Sequence, residues 1–212
     1  ASRQDELVAD CRAEATPFVL TVRSTTDIGV SSVVSDEIMG GIMIISHLAQ
    51  LGHKDIAYVA GPQFLSTGFE RYQGYLQGLA QVGLKANSDL FAEGEAFTEE
   101  AGRRAASKIL ATRQKFTAIV AGNDLMALGC YDELMAKGLK CPEDVSVVGF
   151  DDMPFAGHFN PPLTTVHTPL LDIGAEAARI LLKQIEEADL PPRTQKLRPE
   201  LIVRASTDLA RG

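Results

Sequence analysis

The run P-E-D-V-S-V-V-G-F-D-D-M-P occupies residues 142–154. Its β-branched centre, residues 145–148, follows a helical pattern and closes on Gly149, which reads as a buried parallel strand. Phe150, Asp151 and Asp152 leave the carboxyl end of that strand. In open α/β sheets ligands sit at this edge, because the loops there are free of sheet pairing. A carboxylate pair in that position is the first place to look for a function.

Reading outward from this strand gives alternating strands and helices. Upstream lie a helix over 124–136 with Gly138 as its C-cap, a strand over 116–120 and a helix from Thr98 to about residue 110. Before these come a strand at 90–93, a helix at 69–82 with Tyr72, Leu76 and Leu79 inward, and a strand at 56–60. A helix capped by Asp36 carries Ile38, Ile42, Ile45 and Leu48 at helical spacing. Met39 and Met43 widen its apolar face beyond one sheet contact, so they are either surplus core or a partner surface. A weak repeat, A-Y-V-A-G-P at 57–62, A-I-V-A-G-N at 118–123 and S-V-V-G-F-D at 146–151, ends three strands on a glycine and opens onto one ligand side. Right-handed βα units in a parallel sheet follow.

The flanks read as a second, smaller lobe. A helical pattern at 3–15, strands at 18–22 and 30–34, a possible strand at 164–167, a helix from Pro169 to about residue 187 and an extended return at 197–204 supply it and the way back. The stiff N-P-P-L at 160–163 suits a crossing between lobes. The expected division is 1–35 with 162–194 for a partial first lobe, and 36–161 with about 195–212 for the second. Too few strands precede residue 35 to complete the first sheet, so that lobe is expected to be incomplete.

Composition narrows the function. The 212 residues carry a net charge of -8, which argues against this stretch gripping a phosphate backbone. Cys11, Cys130 and Cys141 are odd in number and lack metal spacing, as expected of thiols in a reducing compartment. No apolar window is long enough for a membrane span and no export signal is visible, so a cytoplasmic location is expected. The histidines His47, His53, His158 and His167 are not ligand-spaced, and no cofactor or metal is expected.

By chemistry alone the cleft candidates are Arg71, Asn123, Asp124, Asp151 and Asp152, with Phe69 and Phe97 as apolar surfaces. Planar donors, paired acceptors and an aromatic face suit a neutral, hydroxyl-rich ligand such as a sugar or nucleoside. The plainer roles stay open: Asp124 as a helix N-cap, Asn123 and Asp151 satisfying their own loops, Arg71 as a solvated helix residue, the phenylalanines as core. Enzymatic readings fail, because adjacent aspartates point apart and no nucleophile elbow or phosphate loop is present.

Taken together the motifs resemble the LacI/GalR family of bacterial transcription regulators, in its periplasmic-binding-protein-like core of type I: two parallel-sheet lobes with a cleft. They are V-S-D at 34–36, H-L-A-Q-L-G-H-K-D-I-A at 47–57, A-G-P at 60–62, E-R-Y-Q-G-Y at 70–75 and A-G-N-D-L-M-A-L-G at 121–129. P-E-D-V-S-V-V-G-F-D-D at 142–152, P-P-L-T-T-V at 161–166 and P-E-L-I-V-R-A-S-T at 199–207 complete the set. The resemblance implies that Arg71 donates to the effector, that Asn123 and Asp151 contact it from the second lobe, and that Phe97 packs against it. It implies a homodimer, with Met39 and Met43 able to share the contact, and operator DNA bound only through a helix-turn-helix head that is absent here. The chain thus resembles an N-terminally truncated regulator core. A periplasmic sugar-binding protein has the same architecture and is the alternative. Val22 departs from the pattern, which commonly has aspartate there as a ligand contact from the first lobe.

Overall fold

A computed structural model of the protein describes residues 6–26, 29–187 and 190–211. In chain order the elements are α1 (Glu6–Ala13), β1 (Leu20–Thr21), β2 (Ser32–Ser35), α2 (Glu37–Gln50), β3 (Ile56–Ala60), α3 (Ser66–Gln81), β4 (Phe91–Glu93) and α4 (Glu99–Ala111). They continue with β5 (Ala118–Ala121), α5 (Asp124–Ala136), β6 (Ser146–Asp151), β7 (Thr164–His167), α6 (Leu170–Glu186), β8 (Thr194–Leu197) and β9 (Glu200–Ile202). The expected start of the first helix, before residue 6, lies outside the described residues.

Two sheets form two lobes. The larger has the order β4-β3-β5-β6-β7-β9, parallel except where β9 runs against β7. The smaller has the order β1-β2-β8, all parallel. Side chains of β3 alternate between two cores, which is what a strand buried on both faces requires. Ala57 and Val59 enter the core shared with α4 and α5, while Ile56, Tyr58 and Ala60 enter the core beneath α2 and α3. The first lobe has its own core of Val33, Ile173, Ala177 and Ile180, so α6 packs on the small sheet.

Local chemistry starts α2 and α4 where the sequence says, while α3 begins at Ser66, three residues before its expected start. Asp36 caps α2 by accepting from the Met39 amide at 3.1 Å, and Thr98 caps α4 by accepting from Ala101 at 3.2 Å. Helices α2 and α3 approach so closely that a Cβ on Gly41 would lie 2.7 Å from the Gly74 carbonyl carbon. Gly41 and Gly74 are therefore there for lack of a side chain, and their contact fixes α3, the helix that carries Arg71, against α2.

After the crossing between β2 and α2, the chain changes lobe at places other than those expected. The expected division puts the strand at 164–167 in the first lobe, but β7 pairs with β6 over Val148↔Thr164 to Asp151↔His167 and belongs to the larger sheet. The proline run at 160–163 is therefore not an inter-lobe crossing; the chain crosses after His167, between β7 and α6. The expected single return at 197–204 is two strands, β8 in the small sheet and β9 in the large one, so the last crossing lies at Arg198 and Pro199. Hydrophobic period alone does not say which of two sheets an isolated four-residue strand will join.

Candidate functional site

The site is built at the carboxyl ends of β3, β5 and β6. Asp151, the last residue of β6, and Asp152 just after it have φ of 105° and 55°, a positive-φ pair that two non-glycine residues adopt only under constraint. The constraint is visible. Asp152 accepts from Arg204 Nη2 at 2.7 Å and from His167 Nδ1 at 3.1 Å, and Asp151 accepts from Arg71 Nη2 at 2.6 Å. Asp152 is thereby tied to the frame, and Asp151 is the member of the pair turned to Arg71.

Arg71 lies in the second turn of α3 and is 4% exposed, so the solvated role left open for it is overturned. Its guanidinium donates from Nε to Glu37 at 2.6 Å, from Nη1 to the Gly122 carbonyl at 2.7 Å and from Nη2 to Asp151. The same group lies 3.9 Å from the Phe150 ring centroid and 5.7 Å from that of Phe97. Asp151 and Glu37 hold its pKa above the ordinary arginine value despite the cost of burial. An arginine so held cannot change rotamer without breaking three charge-assisted bonds.

Glu37 is the residue that sequence reasoning missed. As the acidic first residue of α2 it looks like a solvated partner of the helix dipole. Tertiary packing instead buries it to 2% exposure, and burial pushes its carboxyl up to about 7, with Arg71 offsetting part of that rise. Its Oε1 is buried without a hydrogen-bond partner among the described residues.

Asn123 is the N-cap of α5: its Oδ1 accepts from the Met126 amide at 2.9 Å, which leaves its amide N–H groups for another partner. The capping role expected of the next residue is thus corrected. Asp124 points inward, accepting from Thr165 Oγ1 at 2.6 Å and from the Met153 amide at 2.7 Å. Burial raises its carboxyl to about 7 as well. Gly149 exists for this carboxylate, since a Cβ there would stand 2.3 Å from Asp124 Oδ1.

Phe97 is half-buried, packed on the core at its base and against Gly61, where any Cβ would lie 2.1 Å from the ring. Phe69, also half-buried, lies in the first turn of α3 two residues before Arg71. Met39 is 37% exposed and Met43 half-buried, and neither joins the three cores.

The first lobe meets this group at the start of α3. Ser24 N donates to Ser66 Oγ at 2.9 Å, and Lys196 pairs with Glu70 at 3.4 Å. Val22, in the loop's first position, has φ of 66°, a conformation that β-branched residues rarely adopt and aspartate tolerates better. Ser35 Oγ, Thr67 Oγ1 and Thr168 Oγ1 are, like Glu37 Oε1, buried without a partner among the described residues. Among the described residues no group of three or more His, Cys, Asp or Glu could hold a metal ion. The site can donate and accept hydrogen bonds, and among the described residues it presents no nucleophile held by a base.

Comparison with known proteins places this geometry. Residues 45–207 match the family model of the periplasmic binding protein-like domain. A sugar-binding transcriptional regulator of the LacI family from Escherichia coli, solved with phosphate, superposes with a TM-score of 0.83 at 32% identity, over 97% of this chain and 73% of that one. The chain belongs to the LacI/GalR family. The transcriptional regulator CelR in complex with cellobiose superposes with a TM-score of 0.92 at 36% identity, over 97% of this chain and 63% of that one. The repressor PurR of Pasteurella multocida (strain Pm70) is 37% identical over 167 residues, 79% of this chain and 50% of that protein. The chain thus spans about half the length of this relative.

Proposed function

We propose that this chain is the effector-sensing core of a DNA-binding transcription regulator, and that it takes a small sugar-like or nucleoside-like ligand between its lobes. The supporting observation is Arg71: buried, locked on three sides by Glu37, the Gly122 carbonyl and Asp151, and left with two of its five N–H donors uncommitted. Arg71 and Asn123 donate to ligand hydroxyls or ring carbonyls, Asp151 accepts from hydroxyls, and Phe97 and Phe69 provide apolar surface. Relatives solved with cellobiose, with phosphate and, in two cases, with ribose support a polar, sugar-like occupant.

Signalling follows from the two-lobe plan. A ligand that contacts both walls favours one lobe arrangement over another, which is the differential binding that allostery requires. Operator DNA is read by a head outside this chain, consistent with the net charge of -8 here. The core pairs as a homodimer, with Met39 and Met43 in the contact. The parent protein works in the cytoplasm; no helix among the described residues is long and apolar enough to cross a membrane.

The test is thermal unfolding of the chain against sugars, sugar phosphates, nucleosides and nucleobases, with Asp151→Asn alongside. Asparagine keeps the tolerance for positive φ that this position needs. At about 100 times its dissociation constant a ligand adds about 2.7 kcal/mol to the folded state. The expected result is a raised transition with at least one compound, reduced in Asp151→Asn. A cooperative melt that no compound moves refutes the reading.

A further inference from the structure

The proposed ligand contacts make no use of Glu37, yet it is among the most deeply buried charged residues of the site. A guanidinium carries one positive charge and five N–H donors. Around Arg71 that charge faces two carboxylates, Glu37 and Asp151, each at 2.6 Å, while two of the five donors stay uncommitted. Supply of donors is therefore separated from supply of positive charge. A third carboxylate, Asp124, stands next to Asn123 and is fully buried.

The other polar atoms nearby have the same bias. Thr67 precedes Arg71 by one turn on the same face of α3, and Thr168 donates its amide to the Asp151 carbonyl. Their hydroxyls, with Ser35 Oγ and Glu37 Oε1, are buried and unpartnered among the described residues. Hydroxyls and a carboxylate oxygen match ligand hydroxyls, and the carboxylate repels an anion. Cations at the rim are already engaged: Lys196 with Glu70 and Arg204 with Asp152. Arg23, on the first lobe, is partly exposed, so water and salt screen it.

We propose that Glu37 is a specificity-determining residue: by orienting and neutralising Arg71 it restricts the cleft to uncharged, hydroxyl-bearing ligands and excludes phosphate esters and carboxylates. This rests on the reading of the cleft as the effector site.

The experiment titrates neutral compounds and their phosphate esters in pairs, ribose with ribose 5-phosphate and adenosine with its 5′-monophosphate among them, along with cellobiose and inorganic phosphate. Binding is read at pH 8, where Glu37 is ionised, by calorimetry and thermal shift in the wild type and in Glu37→Gln, which keeps an acceptor for Arg71 Nε and removes the charge. In the wild type the neutral member of a pair is expected to bind at least 100-fold more tightly than its ester. Glu37→Gln is expected to narrow that ratio by tenfold or more, a change that a merely structural role would not produce. A phosphate ester that matches its neutral parent in the wild type overturns the inference and leaves the effector site standing. A ratio unchanged in Glu37→Gln removes Glu37 from the role. If no compound binds the wild type, the effector reading fails and this inference with it. Should Glu37→Gln not fold, Asp151→Asn removes the other counter-charge, and an unchanged ratio there refutes the neutralisation argument.

Discussion

Stability should fall as pH rises from about 5 to 8, and Glu37 should carry a measurable share of that fall. Its carboxyl is raised from 4.5 to about 7 because burial penalises the anion more than Arg71 favours it. Between those two values the folded chain holds a proton that the unfolded chain releases. Protonation therefore stabilises the fold: the contribution is complete below 4.5 and gone above 7. A shift of this size corresponds to about 3 kcal/mol in total, of which about 2 kcal/mol is expressed between pH 8 and pH 5.5. Asp124, raised from 3.8 to about 7, acts in the same direction and steepens the wild-type profile. The assay is urea unfolding at half-unit pH steps for wild type and Glu37→Gln. Glutamine does not titrate, so the stability difference between the two proteins should change by about 2 kcal/mol across that range. Parallel profiles would refute the claim that Glu37 is desolvated beyond what Arg71 repays.

Two further outcomes follow from the same geometry. Arg71→Ala strands Glu37 and Asp151 and empties the Gly122 carbonyl, and loss of a buried ion pair's partner costs about 3–5 kcal/mol. Calorimetry should show that loss without any ligand, and a drop under 1 kcal/mol would mean that the network is solvated. Gly41→Ala forces α2 from α3, since the new methyl would lie 2.7 Å from backbone, and should cost about 1–3 kcal/mol. In Gly174→Ala, where α6 has open space, the same change should gain about 0.5–1 kcal/mol. Equal effects at the two positions would contradict the packing described.

The site was legible in part. Arg71, Asn123 and Asp151 could be named because each sits in a strand-end or helix motif that the resemblance covers. Their relation could not, since Arg71 meets Asp151 across 80 residues and Glu37 across 34. Asn123 and Asp124 show the limit in miniature. Either side chain can cap a helix. Only the presence of Thr165 and the Met153 amide beneath α5 turns Asp124 inward and leaves the cap to Asn123.

Sequence alone determined the alternation of strand and helix, the starts of α2 and α4, and the ligand-side edge of the larger sheet. Those follow from local forces: period, capping and the turn residues that stop an element. Tertiary structure decided the rest. Only in three dimensions does β7 choose the larger sheet, the return chain split between two sheets, and an acid in the first turn of α2 become the buried counter-charge of Arg71. Burial and charge pairing depend on which distant groups share a dry space, and no local pattern encodes that.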